Sequence, residues 1–253
     1  MAEGVPTRRE RVRATTMEEI TSTARRLLVE QGPEAASLRA IAREMGMTAP
    51  GLYRYYNSRE ELLRHVVAEI FRELTAGIRR AIDTAALEPA GEGDIRARLT
   101  LKLVAACREF RHWALTHKDE FTLLFGVPTP GLHFDGSQDV AEQCAMEFAG
   151  PFYALFLELW TTLRFPVLAD AEIDPALGPQ LGHFRAKLRT DAPDGAVLVF
   201  LRCWMLLYGA LAMEVFGHLD FALDDSAPMF ELTLSELAAK VGLSLPPNTV
   251  RSP

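Results

Sequence analysis

Apolar residues in this chain recur at every third and fourth position and not at every second. That spacing puts them on one face of a helix and builds no half-buried strand. The expected fold class is therefore all-α. At 253 residues and 49% hydrophobic content the chain is long and apolar enough for one large or two modest cores.

The helix signals are local and explicit. Thr16-Met-Glu-Glu19 reads as a capping box, after which Ile20, Ala24, Leu27 and Leu28 form one face and Gly32-Pro33 ends the helix. Ser37 caps a short second helix with Leu38, Ile41, Ala42 and Met45 inward, and Gly46 supplies a turn. Thr48 caps a third helix that starts at Ala49, with Pro50 in the first turn where a missing N–H does no harm. It is expected to reach Tyr56 or Asn57. Ser58 and Glu61 form a further capping box before a long fourth helix whose inward face is Leu62, Val66, Ile70, Leu74, Ile78 and Ile82.

Residues 84–93 read as a loop, and "GVPTPGLHFDG" as another. Further helices are expected over 94–116, 118–124, 138–165, 193–216 and 227–241. The stretch 165–193 carries no decisive pattern.

Charge is unevenly placed. Residues 1–65 hold 11 Lys/Arg against 9 Asp/Glu, while the remainder holds 16 against 25, within a net charge of -7. Arg8, Arg9, Arg11 and Arg13 cluster where apolar content is low, which predicts a flexible basic arm over residues 1–15. The partner expected from that asymmetry is nucleic acid.

The two short helices around Gly46 form a helix-turn-helix over residues 16–60. Leu52 and Tyr56 join its core, which leaves the other face of the third helix free to read DNA. Ala49, Pro50 and Gly51 are compact enough for close approach to bases. Tyr53 and Tyr55 suit phosphate, and Arg54 and Arg39 suit a guanine edge or phosphate. Ser37, Thr48, Ser58 and Arg59 sit at helix starts, where unpaired N–H groups favour phosphate.

Residues 20–66, "ITSTARRLLVEQGPEAASLRAIAREMGMTAPGLYRYYNSREELLRHV", resemble the TetR/AcrR transcriptional regulators through their "SLRAIAREMGM", "LYRYY" and "SREELL" elements. The family often ends its recognition helix on an aromatic, His or Tyr, then Phe; Tyr55 and Tyr56 stand there in this chain. "CWMLLYG" from Cys203, with residues 110–126, is similar to a C-terminal subclass named for Trp, His and Gly: Trp204 and Gly209 match, and Tyr208 stands where His is expected. The resemblance implies a homodimer on a palindromic double-stranded DNA operator, dimerised through its last two helices. It also implies a helical effector-binding and dimerisation domain over 61–245 and repression relieved by a small ligand.

Cys107, Phe110, Trp113, His117, Phe121, Phe152, Phe156, Trp160, Trp204 and Tyr208 are the candidate effector contacts, and they favour a hydrophobic or aromatic molecule. No cofactor, metal or catalytic activity is expected. A glycine-rich phosphate loop, a nucleophile elbow, a zinc-binding helix motif and paired cysteines are all absent from the sequence. A redox switch at Cys107, Cys144 or Cys203, or a helical interaction protein without specific DNA binding, are the competing readings. The apolar run 197–216 is about as long as a bilayer is thick, but Arg202 within it disfavours insertion. With no secretory leader pattern, the expected location is the cytoplasm.

Overall fold

The computed structural model describes residues 7–32, 37–88, 94–126 and 140–245. Among these, the α-helices are α1 (Arg8–Gln31), α2 (Leu38–Glu44), α3 (Ala49–Leu52), α4 (Arg59–Leu87), α5 (Ile95–Thr116), α6 (Lys118–Phe125), α7 (Val140–Leu163), α8 (Gly178–Leu188), α9 (Asp194–Val215) and α10 (Ala227–Lys240). A 3-10 turn at Asp170–Glu172 precedes α8, and the described residues contain no strand. The chain divides into two compact units, one of Met1–Glu73 and His117–Phe148, the other of Leu74–Thr116 and Ala149–Pro253. The chain passes between the units three times: within α4, between α5 and α6, and within α7.

Several helix limits differ from the sequence expectation. α1 begins at Arg8, so Arg8, Arg9, Arg11 and Arg13 are helical rather than part of a loose arm. Its capping box is Thr7–Glu10: the Thr7 hydroxyl accepts from the Glu10 N–H (3.3 Å) and Glu10 accepts from the Thr7 N–H (2.7 Å). Thr16 lies inside the helix and donates to the Val12 carbonyl (3.0 Å). α3 is a single turn, closed by tighter bonds such as Tyr55 N–H to the Leu52 carbonyl, and does not run on to Tyr56. α4 extends to Leu87 through the helix-favouring alanines 81, 85 and 86, past the expected loop start at Thr84. Pro33 and residues 127–136 of the expected second loop lie outside the described residues.

In the first unit, Ile20, Ala24, Leu27 and Leu28 of α1 are buried, as are Ile41 of α2, Leu52 of α3 and Leu62 and Val66 of α4, all under about a tenth exposed. Phe71 packs with Phe125 (5.8 Å between ring centres) and Phe148 (5.7 Å). One ionic cluster ties three helices. Arg25 on α1 donates to Glu73 on α4 (2.6 Å) and to Glu120 on α6 (3.3 Å). Burial alone would lower the Arg25 pKa, but the bonds to Glu73 and Glu120 outweigh it and raise it.

In the second unit, α5, α7, α9 and α10 pack around an aromatic core. Two two-pronged ion pairs clamp α5 to its neighbours: Arg111 to Glu214 on α9 (2.8 and 2.5 Å) and Arg108 to Glu231 on α10 (2.9 and 2.8 Å). The stretch that the sequence left open becomes a strap and a helix. It follows Arg164, whose φ of 45° turns the chain, and Leu181 and Ile173 then pack against Val197 of α9. Gly195 permits that closeness, because a Cβ there would collide with the Leu168 backbone carbonyl.

Candidate DNA-reading surface and effector cavity

Three caps hold the reading turn in place. The Ser37 hydroxyl accepts from the Ala40 N–H (3.2 Å) and the Thr48 hydroxyl from the Gly51 N–H (3.2 Å), each fixing the start of a short helix. Ser58 accepts from the Glu61 N–H (3.1 Å), while Glu61 reaches back to Asn57 rather than to Ser58 (2.7 Å), so the expected capping box is displaced by one residue on its return bond. Gly46, at φ 66°, makes the turn that a side chain would strain.

Below the turn, Leu52 and Tyr56 are buried at 0% and 1% exposure. The Tyr56 hydroxyl meets the Thr21 hydroxyl at 2.9 Å. Thr21 already donates to the Met17 carbonyl (2.8 Å), so Tyr56 is the donor in that pair. Burial raises the Tyr56 pKa and keeps the phenol protonated.

Above the turn, Arg39, Thr48, Pro50, Tyr53 and Arg54 are exposed, and Ala49, Gly51, Tyr55, Ser58 and Arg59 are half-exposed. Every expected DNA contact is thus at least partly open to solvent. Adding a Cβ at Gly51 would bring it to 3.1 Å from the Thr48 hydroxyl, which couples the compactness of this surface to its cap. Tyr55 is partly occupied: the Arg13 guanidinium lies 5.1 Å from its ring centre and donates to the Arg54 carbonyl (3.2 Å). The sequence reading missed this role of Arg13. Its signal was the arginine cluster, which a loose arm would not have aimed at any one contact.

In the second unit a narrow cavity of about 40 Å³ lies between α5, α7, α9 and α10. Of the expected effector contacts it gathers Cys107, Phe152, Phe156 and Trp204, and adds Leu103, Phe200, Cys203, Leu207, Leu237 and Val241 among its walls. Phe110 and Trp160 stand behind the lining, Phe110 stacked on Trp204 (6.2 Å) and Trp160 against Phe165 (5.1 Å). Trp113 is buried core, and Tyr208 is half-buried beside the cavity-lining helix face without entering it.

His117 and Phe121 are not among the walls of this cavity. They belong to the first unit, where Phe121 is fully buried against Phe125 (5.0 Å) and His117 precedes α6. Among the described residues, no charged side chain lines the cavity. Burial pushes the Cys107 thiol up to about 12, with Cys203 nearby adding to the effect, and the Cys203 thiol up to about 11. Cys144 is buried as well.

A compact, exposed helix turn, capped on both sides and flanked by arginines, on a three-helix core defines a helix-turn-helix DNA-binding protein. Comparison with known proteins agrees. Residues 20–66 match the family model of bacterial regulatory proteins, tetR family, and residues 103–237 match that of the tetracyclin repressor-like C-terminal domain. The chain belongs to the TetR family; it is a transcriptional regulator and not an enzyme.

Among its relatives is the HTH-type transcriptional regulator Rv1816 of Mycobacterium tuberculosis, 28% identical over 199 residues, which span 79% of this chain and 80% of that protein. The solved structure of the regulatory protein SCO4313 is 28% identical, covers 92% of this chain and 100% of its own, and has a TM-score of 0.69. RolR in complex with resorcinol (16% identical, 96% and 99% covered, TM-score 0.51) shares the fold.

Proposed function

We propose that this regulator binds a palindromic operator as a homodimer and is released from it by a small, uncharged hydrophobic molecule. The observation that carries the DNA reading is the division of the α3 turn: Leu52 and Tyr56 account for its core face, which leaves Thr48, Pro50, Tyr53 and Arg54 outward beside Arg39 with no packing role. In this reading Arg39 and Arg54 supply base or phosphate contacts. Tyr53, Tyr55 and the cap residues Ser37, Thr48, Ser58 and Arg59 position the backbone.

The family forms dimers. The surface proposed for it here is that of α9 and α10, where Met205, Met213, Met229 and Leu232 are exposed around the small residues Gly209 and Ala210. α9 is long and apolar enough to cross a membrane, with a third of its most apolar stretch buried. A second copy of the chain covering its open side accounts for that composition without a bilayer.

The cavity supports the effector reading and limits it. Walls of Leu, Phe, Trp, Val and un-ionised Cys offer nothing to balance a charge, which would cost several kcal/mol to strip of water. Its present size holds a few water-sized spheres at most, about 10–15 Å³ each. An organic ligand must therefore spread α5 from α7, α9 and α10. The pairs Arg111–Glu214 and Arg108–Glu231 would carry that movement to α9 and α10. Ligand favours the spread form only by binding it better than the closed one.

The cysteine switch loses support, since buried thiols held up at about 11 and 12 present almost no thiolate at neutral pH. The test is selection of duplexes from a random pool at two salt concentrations. Recovery of a salt-sensitive palindrome supports the reading, and weak sequence-independent binding with and without hydrophobic ligands overturns it.

A further inference from the structure

The inward face of α1 changes character along its length. Through the core it carries Leu28, Leu27, Ala24, Thr21 and Ile20, all buried. Followed toward the N-terminus in helical steps, the same stripe passes the half-buried Met17 and Thr16 and then holds Arg13, exposed, and one turn further Arg9, also exposed. A stripe that seals a core at one end thus presents guanidinium groups at the other.

The overhang is a rigid piece of helix, fixed at its start by the reciprocal Thr7–Glu10 cap. Glu10, the acidic neighbour on this face, is turned back onto Thr7, accepting from its N–H (2.7 Å) and its hydroxyl (2.8 Å). Arg13 places the overhang beside the reading turn through the Arg54 carbonyl and the Tyr55 ring. Arg9 stands one turn beyond, about 6 Å along the axis at ~1.5 Å per residue. That is under two base-pair steps of a duplex at ~3.4 Å each.

We propose that the N-terminal overhang of α1 is a second DNA-contacting element, in which Arg9 binds a backbone phosphate flanking the half-site while Arg13 locks the overhang to the reading turn. The occupant is the phosphate backbone of the same duplex, because the overhang shares its edge with exposed Tyr53 and Arg54 and carries positive charge. The proposal rests on the DNA-binding reading above. It adds a contact that reads no bases: it lengthens the footprint and raises the salt dependence of binding.

Fluorescence anisotropy on the selected operator, with long and with trimmed flanks across a salt series, tests it. Arg9→Ala should reduce the slope of log K against log salt by about 1.8 for a dimer, two contacts at ~0.9 each. It should also abolish the gain from long flanks. Arg9→Lys should keep both properties, and Arg8→Ala, about 100° around α1 from Arg9 and off the Arg9–Arg13 stripe, should change neither. An Arg9→Ala slope equal to that of the unsubstituted protein, with a native melting curve, overturns the proposal, as does equal binding of long and trimmed duplexes. If no palindrome is selected at all, the regulator reading fails separately, and the Arg9 slope is still read on non-specific duplex.

Discussion

Replacing Tyr56 with Phe removes one hydroxyl from a site where both partners are about 1% exposed, so the cost can be worked from the bond itself. Tyr56 donates to Thr21 at 2.9 Å, and Thr21 donates onward to Met17 at 2.8 Å. Tyr56→Phe leaves the Thr21 donor satisfied and loses one net hydrogen bond, about 1 kcal/mol. Thr21→Val is worse. It strands the phenol O–H in the core, which costs about 1–3 kcal/mol.

The double variant pairs two apolar groups, so it should be more stable than Thr21→Val alone. The coupling energy of the cycle should be about 1–2 kcal/mol. Urea denaturation supplies the measurement, with midpoint shifts at constant slope. If Thr21→Val proved no more costly than Tyr56→Phe and the two effects simply added, the assigned direction of the bond, and the idea that it seats the reading turn on α1, would be wrong.

Further outcomes follow from the same geometry. Arg39→Ala and Arg54→Ala should each either relax preference at one operator position by about 1–3 kcal/mol or weaken all sequences with a shallower salt slope; no effect from either removes them from the interface. Cys203→Val adds about one methyl group toward the cavity, worth up to about 0.8 kcal/mol if the space is empty. It should raise the melting temperature while weakening release by a hydrophobic ligand; a destabilised protein would mean the walls are already close-packed.

The thiol of Cys107 is raised from about 9 to about 12, so the folded state holds its proton more tightly than the unfolded. That stabilisation is complete below pH 9 and is lost as pH climbs toward 12. Melting curves above pH 9 should therefore fall less steeply in Cys107→Ala, and parallel curves would refute the burial assignment. Ala210→Glu, placed in the groove between α9 and α10, should shift sedimentation toward monomer; an unchanged dimer would move the interface elsewhere.

Particular residues mark the limit of reading this chain as a string. Thr7-x-x-Glu10 and Thr16-x-x-Glu19 both satisfy the same capping pattern, and nothing local chooses between them. The helix takes the earlier box because the residues between them are compatible with helix, and propagation is easier than a new nucleus. α3 ends early because Tyr53 to Tyr55 close in tight turns while Tyr56 swings inward to Thr21, a partner 35 residues away. The aromatic candidates divided for a similar reason. Phe121 and Phe152 look alike in sequence, yet α6 and α7 place them in different units.

The sequence by itself determined the helical class, the order of the main helices, the helix-turn-helix and the family, because periodicity, caps and turn residues act over a few positions at a time. Only the tertiary structure decided which apolar side chains wall a cavity and which fill a core, that α1 carries its arginines as a rigid overhang, and that Arg13 meets Tyr55. Those outcomes depend on contacts between residues distant in the chain, and an apolar or basic side chain has the same local signature whichever surface it finally meets.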